Sequence, residues 1–208
     1  MSFEPRSEAD FLQLIAEYPL AWVVSLGGPA GVGATPLPLL AETDAAGQIN
    51  ALFGHFALAN PQVAALRAQP RAKILFTGPH GYISPELVSQ PGWAPTWNYA
   101  TAQFDVEIEF LPHETGAALE QLVTRMERDR RDPWTTAKMG ERYAVLAARV
   151  VAFRAHVRSK TGRFKLGQDE SPQTLSELLS GLDEEALVRW MRDFNSPPAA
   201  VPPAREGT

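Results

Sequence analysis

The chain has 208 residues, 45% of them hydrophobic and 21% charged, an ordinary globular composition with enough apolar residues for a sizeable core. Its 19 lysines and arginines fall short of its 24 aspartates and glutamates. The resulting net charge of −5 argues against a general phosphate-backbone binder, and the lack of cysteine excludes disulfides, thiolate zinc sites, iron–sulfur clusters and cysteine nucleophiles.

The first segment, MSFEPRSEADFLQLIAEY, is acidic where a signal peptide would be basic and then apolar. No apolar run approaches the roughly 20 residues that span a bilayer, so the expectation is a soluble cytoplasmic protein. Ser7 followed by Asp10 reads as a helix start, with Phe11, Leu12, Ile15 and Ala16 on one face and Pro19 as the stop. AWVVSL (21–26) reads as a strand closed by Gly27-Gly28-Pro29. A second strand runs through ATPLPLL, where Pro36 and Pro38 imply an edge or irregular strand because proline cannot donate to a ladder. TDAAGQ is a turn and INALFGHF a third strand.

ANPQVAALRAQP carries the clearest local signal: Asn60 as N-cap, Pro61 at the first helical position, Pro70 as the stop. AKILFTG (72–78) reads as a buried strand leading into a Gly-Pro-His turn. A Pro/Gly-interrupted loop follows, and then alternation of Phe104, Val106, Ile108 and Phe110 with Asp105, Glu107 and Glu109, which reads as a half-exposed antiparallel strand. Two helical stretches are predicted over His113–Arg130 and Thr135–Ala147. VVAFRAHVRS alternates again, and KTGRFKLGQ reads as a turn and a short strand. Two more helices follow within 171–194.

Helices inserted among six or seven strands, without regular βαβ order, predict a mainly β fold with peripheral helices, a small antiparallel barrel. A single domain over 1–195 is expected, with a disordered Pro/Ala-rich tail over 196–208.

Most chemical motifs are missing. There is no G-x-S-x-G, and the four histidines (His55, His80, His113, His156) lie in unrelated contexts without metal-ligand spacing. GGPAGVG joins two strands and reads as a hairpin turn. GHFALANPQ is first a strand end and a capped helix; such a junction can also offer free N–H groups to an anion, with His55 beside it. Arg158, Lys160, Arg163 and Lys165 fall within eight positions, either a solvated turn or the counter-charge of a phosphate. Tyr82, Trp97 and Tyr99 are core aromatics or, because SQPGWAP between them is turn-rich, the surroundings of a flat ligand.

Four blocks, GHFALANPQ, ILFTGPHGYISPELV, PTWNYATAQ and GRFKLGQD, resemble in order and spacing the PaiB-type FMN-binding negative transcriptional regulators. The pair GPHGYISP and PTWNY carries most of the likeness, which spans about Phe11 to Phe194. The resemblance implies an antiparallel split β-barrel of six to seven strands, related to pyridoxamine-phosphate oxidase and the flavin reductases, and a homodimer with FMN at the interface. By motif it assigns flavin contacts to His55, Asn60, Tyr82, Ser84, Thr96, Trp97 and Asn98. It puts Lys165 and Gln168 near the phosphate or the partner subunit. The sequence departs from the family pattern at Thr35-Pro36, where Asn-His is frequent, and at Gly167 and Asp169.

Three readings follow: an FMN-dependent regulator or sensor, a flavin-dependent oxidoreductase, or an FMN store or structural dimer with a vestigial site. No helix-turn-helix pattern and no excess positive charge support direct DNA binding. No catalytic acid or base stands out, and no metal or membrane partner is expected.

Overall fold

A computed structural model describes residues 2–25, 27 and 31–196. The expected disordered tail, apart from Ser196, lies outside the described residues, as do Leu26 and Gly28, Pro29 and Ala30 of the expected hairpin turn. In chain order the elements are α1 (Glu8–Glu17), β1 (Leu20–Ser25), β2 (Gly33–Pro38), β3 (Leu40–Thr43), β4 (Ile49–Ala57), α2 (Pro61–Ala68), β5 (Arg71–Ile83) and β6 (Thr96–Leu111). They continue with α3 (Thr115–Glu127), α4 (Arg142–Ala147), β7 (Val150–Lys165), α5 (Pro172–Gly181) and α6 (Glu185–Asn195).

The strands form one sheet in the order β2-β1-β5-β6-β7-β4-β3. β1 pairs antiparallel with β2 and β5, and β4 pairs antiparallel with β3 and β7. The proline-bearing strand β2 is an edge, as its missing N–H donors require. ATPLPLL is nevertheless two strands, because Leu40 leaves β2 and starts β3 at the opposite edge.

The chain divides into two compact units, a larger one of Glu4–Gly78 and Ala100–Phe164 and a smaller one of Pro79–Tyr99 and the chain from Lys165 onward, with the first three residues. In the larger unit α1 starts where the Asp10 carboxylate accepts the N–H groups of Arg6 (2.6 Å) and Ser7 (3.2 Å). Leu14, Val23, Leu52, Phe56, Ile74, Phe76, Phe104 and Phe153 are fully buried there. Phe11 packs edge-on against Phe104 at 6.0 Å and Phe164 at 6.3 Å. In the smaller unit Ile83, Leu166, Leu178 and Met191 are fully buried, and Leu187 and Trp190 extend the apolar face of α6.

Two expected turns and two expected helices differ. Gly-Pro-His lies inside β5 and Lys-Thr-Gly inside β7. Gly162 serves close approach and not a turn: a Cβ there would come within 2.4 Å of Pro5 Cγ. The helix expected over Thr135–Ala147 breaks at Gly140, whose φ of +56° ends a short 3-10 turn (Thr136–Met139) before α4 begins. The stretch over His113–Arg130 shortens to a 3-10 turn (Pro112–Glu114) and α3. Among the described residues no helix is long and apolar enough to cross a membrane.

Candidate functional site

Of the nine expected contacts, His55 and Asn60 belong to the larger unit. Asn60 caps α2: its Oδ1 accepts the Gln62 N–H at 2.9 Å. Its Nδ2 donates to Thr35 Oγ1 of β2, also at 2.9 Å. The Thr35 hydroxyl in turn donates to Gln62 Oε1, and Gln62 Nε2 donates to the carbonyls of Val23 (2.9 Å) and Gly33 (3.0 Å). These bonds close a ring of three side chains that ties α2 to β1 and β2. Gln62 is only 5% exposed, so its amide needs all of these partners.

The free N–H groups that this junction would offer an anion are largely spent. Pro61 has none, the Gln62 N–H goes to Asn60 Oδ1, and the Val63 N–H goes to the Asn60 carbonyl at 3.0 Å. An open cleft of about 410 Å³ adjoins the ring, lined by Ser25, Gly33, Thr35, Asn60, Gln62 and Ala65 among others, none of them charged. Sequence reasoning missed Gln62. A glutamine in the first turn of a short helix is ordinarily solvated, and nothing local marks this one as buried.

His55 sits on β4 opposite Ala152 of β7. By alternation it shares the face on which Phe53 packs against Ala118 of α3. Its Nδ1 is buried and has no hydrogen-bond partner among the described residues. Burial pushes the imidazole below its ordinary pKa of 6.5, so the ring is neutral near neutral pH. An unpaired buried polar atom of this kind costs about 1–3 kcal/mol.

The other seven expected contacts belong to the smaller unit. Trp97 is 53% exposed and Tyr82 48%, and their rings meet edge-on at 5.9 Å. His80 stacks on Trp97 at 6.4 Å. Asn98, the next residue on β6, points the other way and is buried, its Nδ2 directed at Met191 Sδ of α6 at 3.6 Å. Trp97 and Asn98 therefore line opposite faces of β6. Lys165 donates its ammonium to the Thr96 hydroxyl. Gln168 Oε1 accepts the Leu166 N–H at 2.6 Å, and Ser84 caps the 3-10 turn Pro85–Leu87.

The loop between Val88 and Pro95 docks on its own unit. Ser89 donates from its N–H (2.9 Å) and hydroxyl (2.5 Å) to Glu177 of α5, and Trp93 Nε1 donates to Glu170 at 3.1 Å. The basic run on β7 is not a free cluster either. Arg158 pairs with Glu107 at 2.5 Å and Lys160 with Glu8 at 2.6 Å, both in the larger unit. Among the described residues no group of three or more histidine or carboxylate side chains could hold a metal.

The family profile described as "Putative FMN-binding domain" matches residues 1–159. Lys165 and Gln168 lie beyond the matched residues. The curated "Protease synthase and sporulation protein PAI 2" of Bacillus subtilis (strain 168) is 27% identical over 136 residues, 64% of this chain. That match spans 65% of the relative's length, just under two thirds. Among solved structures, the FAD and heme binding protein from Mycobacterium smegmatis superposes with a TM-score of 0.61 at 16% identity, over 87% of this chain and 81% of that one. The flavocytochrome Anf3 from Azotobacter vinelandii gives a TM-score of 0.58 at 13% identity, over 99% of this chain and 87% of that one. At these identities the likeness is one of fold, and it is the fold expected from the sequence: an antiparallel split β-barrel of seven strands with peripheral helices.

Proposed function

Since the chain belongs to the FMN-binding domain family, matched over residues 1–159, we propose that it is a PaiB-like protein that binds FMN and uses it in a regulatory or sensing role. The family match is the observation that carries this reading. Two features suit a flavin. In the larger unit, a neutral buried His55 with an unpartnered Nδ1 stands near in sequence to the uncharged polar ring around Asn60. In the smaller unit, the Lys165–Thr96 pair offers a cation and a hydroxyl, the donor set that a phosphate takes. Tyr82 and Trp97 add exposed rings for a planar group, and Ser84, Asn98 and Gln168 complete the set taken over from the family motifs. Bound FMN would supply the redox chemistry, while the chain's own residues bind, orient and shield it.

Regulation is preferred to catalysis because the similar Bacillus subtilis protein carries sporulation, a cellular programme and not a reaction, in its name. A homodimer belongs to the same reading, supported by apolar side chains left exposed on β1, Leu20 and Trp22.

The test is direct. The purified protein should be yellow, or should quench FMN fluorescence on titration. A colourless preparation that leaves the fluorescence unchanged removes the flavin reading. Sustained NAD(P)H consumption by the FMN-loaded protein would overturn the regulatory half in favour of an oxidoreductase. Retardation of its own upstream DNA that survives about 0.2 M salt would support that half, because non-specific phosphate contacts are lost by then.

A further inference from the structure

In the larger unit β4 ends beside the start of β7, at the pair Ala57 and Val150, and that pair lines a cavity of about 360 Å³. Its walls are Leu119 and Val123 of α3, Trp134, and Tyr143 and Leu146 of α4. The Trp134 N–H donates to Glu127 Oε2 at 3.0 Å, which ties the backbone of that ring to the end of α3. The Tyr143 hydroxyl is turned to the Gly116 carbonyl at 3.4 Å, a long contact for a phenol. α4 and the 3-10 turn before it bury no residue, and α3 buries only Thr115 and Ala118. Trp134 and Leu146 are accordingly 38% and 39% exposed. A six-residue helix is not stable by itself in water, and the apolar side chains of this one line a hole instead of a core.

One cation lines the cavity, Arg149. Its backbone is fixed, since its N–H donates to the Leu146 carbonyl at 3.0 Å and its carbonyl accepts the Leu58 N–H at 2.8 Å. Its guanidinium has no carboxylate, hydrogen-bond or ring partner among the described residues. A guanidinium pairs in a bidentate way with a carboxylate, and aromatic walls take a flat apolar body. The volume lies near the lower end of the roughly 300–1,000 Å³ of small-molecule sites, room for one or two rings. A sugar or polyol would give up its water here with only the Thr136 and Tyr143 hydroxyls to replace it. We propose that this cavity binds a small aromatic monocarboxylic acid, with its ring against Trp134, Tyr143 and Leu146 and its carboxylate on Arg149. Binding supplies the core that α4 lacks. The cavity shares no residue with the nine expected flavin contacts, so the inference stands independently of the flavin reading.

The test uses phenylpropionate as probe, and phenylpropanol as the same body without the charge. Calorimetry on the wild-type protein should show saturable binding of the acid, about tenfold tighter than the alcohol, the worth of one charge-assisted hydrogen bond. Amide hydrogen exchange over residues 136–147 should slow when the acid is bound, while exchange in β5 stays as it was. Arg149→Gln, at an exposed position, should bring the acid down to the affinity of the alcohol and leave the alcohol unchanged. Arg149→Lys should keep part of the preference. Added FMN should not alter the affinity for the acid. Three results with the wild-type protein overturn the proposal, and none needs a variant to fold: no saturable binding of the acid at about 10 mM, equal affinity for acid and alcohol, or unchanged exchange over 136–147. Competition by FMN would assign the cavity to the flavin, and protection of 136–147 that rises with protein concentration alone would assign it to a second copy of the chain. Either result overturns the proposal too, as does an unchanged preference for the acid in a folded Arg149→Gln.

Discussion

At Gly33 a single added methyl group would lie 2.6 Å from Cγ of Gln62, a side chain that cannot retreat because both ends of its amide are bonded. Gly33→Ala must therefore break part of the Thr35–Asn60–Gln62 ring or move β2 away from α2. The expected cost is about 1–3 kcal/mol, the range for overpacking a tight site, read as a lower midpoint in thermal or urea unfolding. His55 gives a residue-scale prediction of a different kind. Burial lowers its folded pKa below 6.5, so below that pH the unfolded chain binds a proton that the folded chain does not. The contribution of His55 is thus fully present above 6.5 and is lost as pH falls through 6.5 toward the folded value. Melting temperatures taken between about pH 7.5 and pH 5.5 should fall more steeply for wild type than for His55→Leu, and equal slopes would count against the burial argument. The polar ring and His55 show the reach of sequence reading at this scale. Asn60 was legible because capping is local chemistry, whereas the burial of Gln62 and the orphaned nitrogen of His55 depend on residues far away in the chain.

Elements were most legible where local signals agreed. α2 begins and ends where Asn60, Pro61 and Pro70 require, and the alternation over 104–110 is the C-terminal half of β6. Two of the misread segments are those in which a glycine suggested a turn. Gly78 and Gly162 look like turn residues in sequence, but in the fold both lie in strands and leave room for a neighbour, Leu14 Cδ1 for the first and Pro5 for the second. The loop after Ser84 shows the opposite case, since its turn-rich sequence does predict irregular chain but not what holds it. Two hydrogen bonds from Ser89 to Glu177 do so, and they keep the Glu177 carboxyl below its ordinary pKa of 4.5. Glu177→Ala should therefore release the segment around Ser89, giving faster limited proteolysis between residues 88 and 95 with little change in global unfolding. The wild-type contact should weaken only as pH falls below the ordinary carboxylate value, because the lowered pKa keeps the charge in place above it. Proteolysis of wild type and variant at the same rate near neutral pH would refute this role for the Ser89–Glu177 contact.

At the scale of the whole molecule, net charge and exposed surface point to different partners. A charge of −5 repels nucleic acid, and among the basic residues of β7 Arg158 and Lys160 are already matched by Glu107 and Glu8, so counting lysines and arginines in the sequence overstated what is available. The outer face of β1 presents Leu20 at 61% exposure and Trp22 at 49%. Trp22 stands in register between Pro36 of β2 and Leu75 of β5, so the strip is apolar across three strands. A strip of this kind is costly to leave in water, which makes it the candidate for an association surface. Pro36 and Pro38 block hydrogen bonding along the β2 edge, so association through the face is favoured over edge-to-edge pairing. The occupant that the family reading supplies is a second copy of the chain, and a stable pair would need about 800 Å² from each partner. Sedimentation should then give twice the chain mass of 22.8 kDa for the wild-type protein. Trp22→Glu puts a charge at the centre of the strip, and being exposed in the single chain it should leave the circular dichroism spectrum unchanged while shifting the mass to one chain. A wild-type protein that sediments as a single chain at tens of micromolar, or a Trp22→Glu variant that remains a dimer, would rule out this face as the interface.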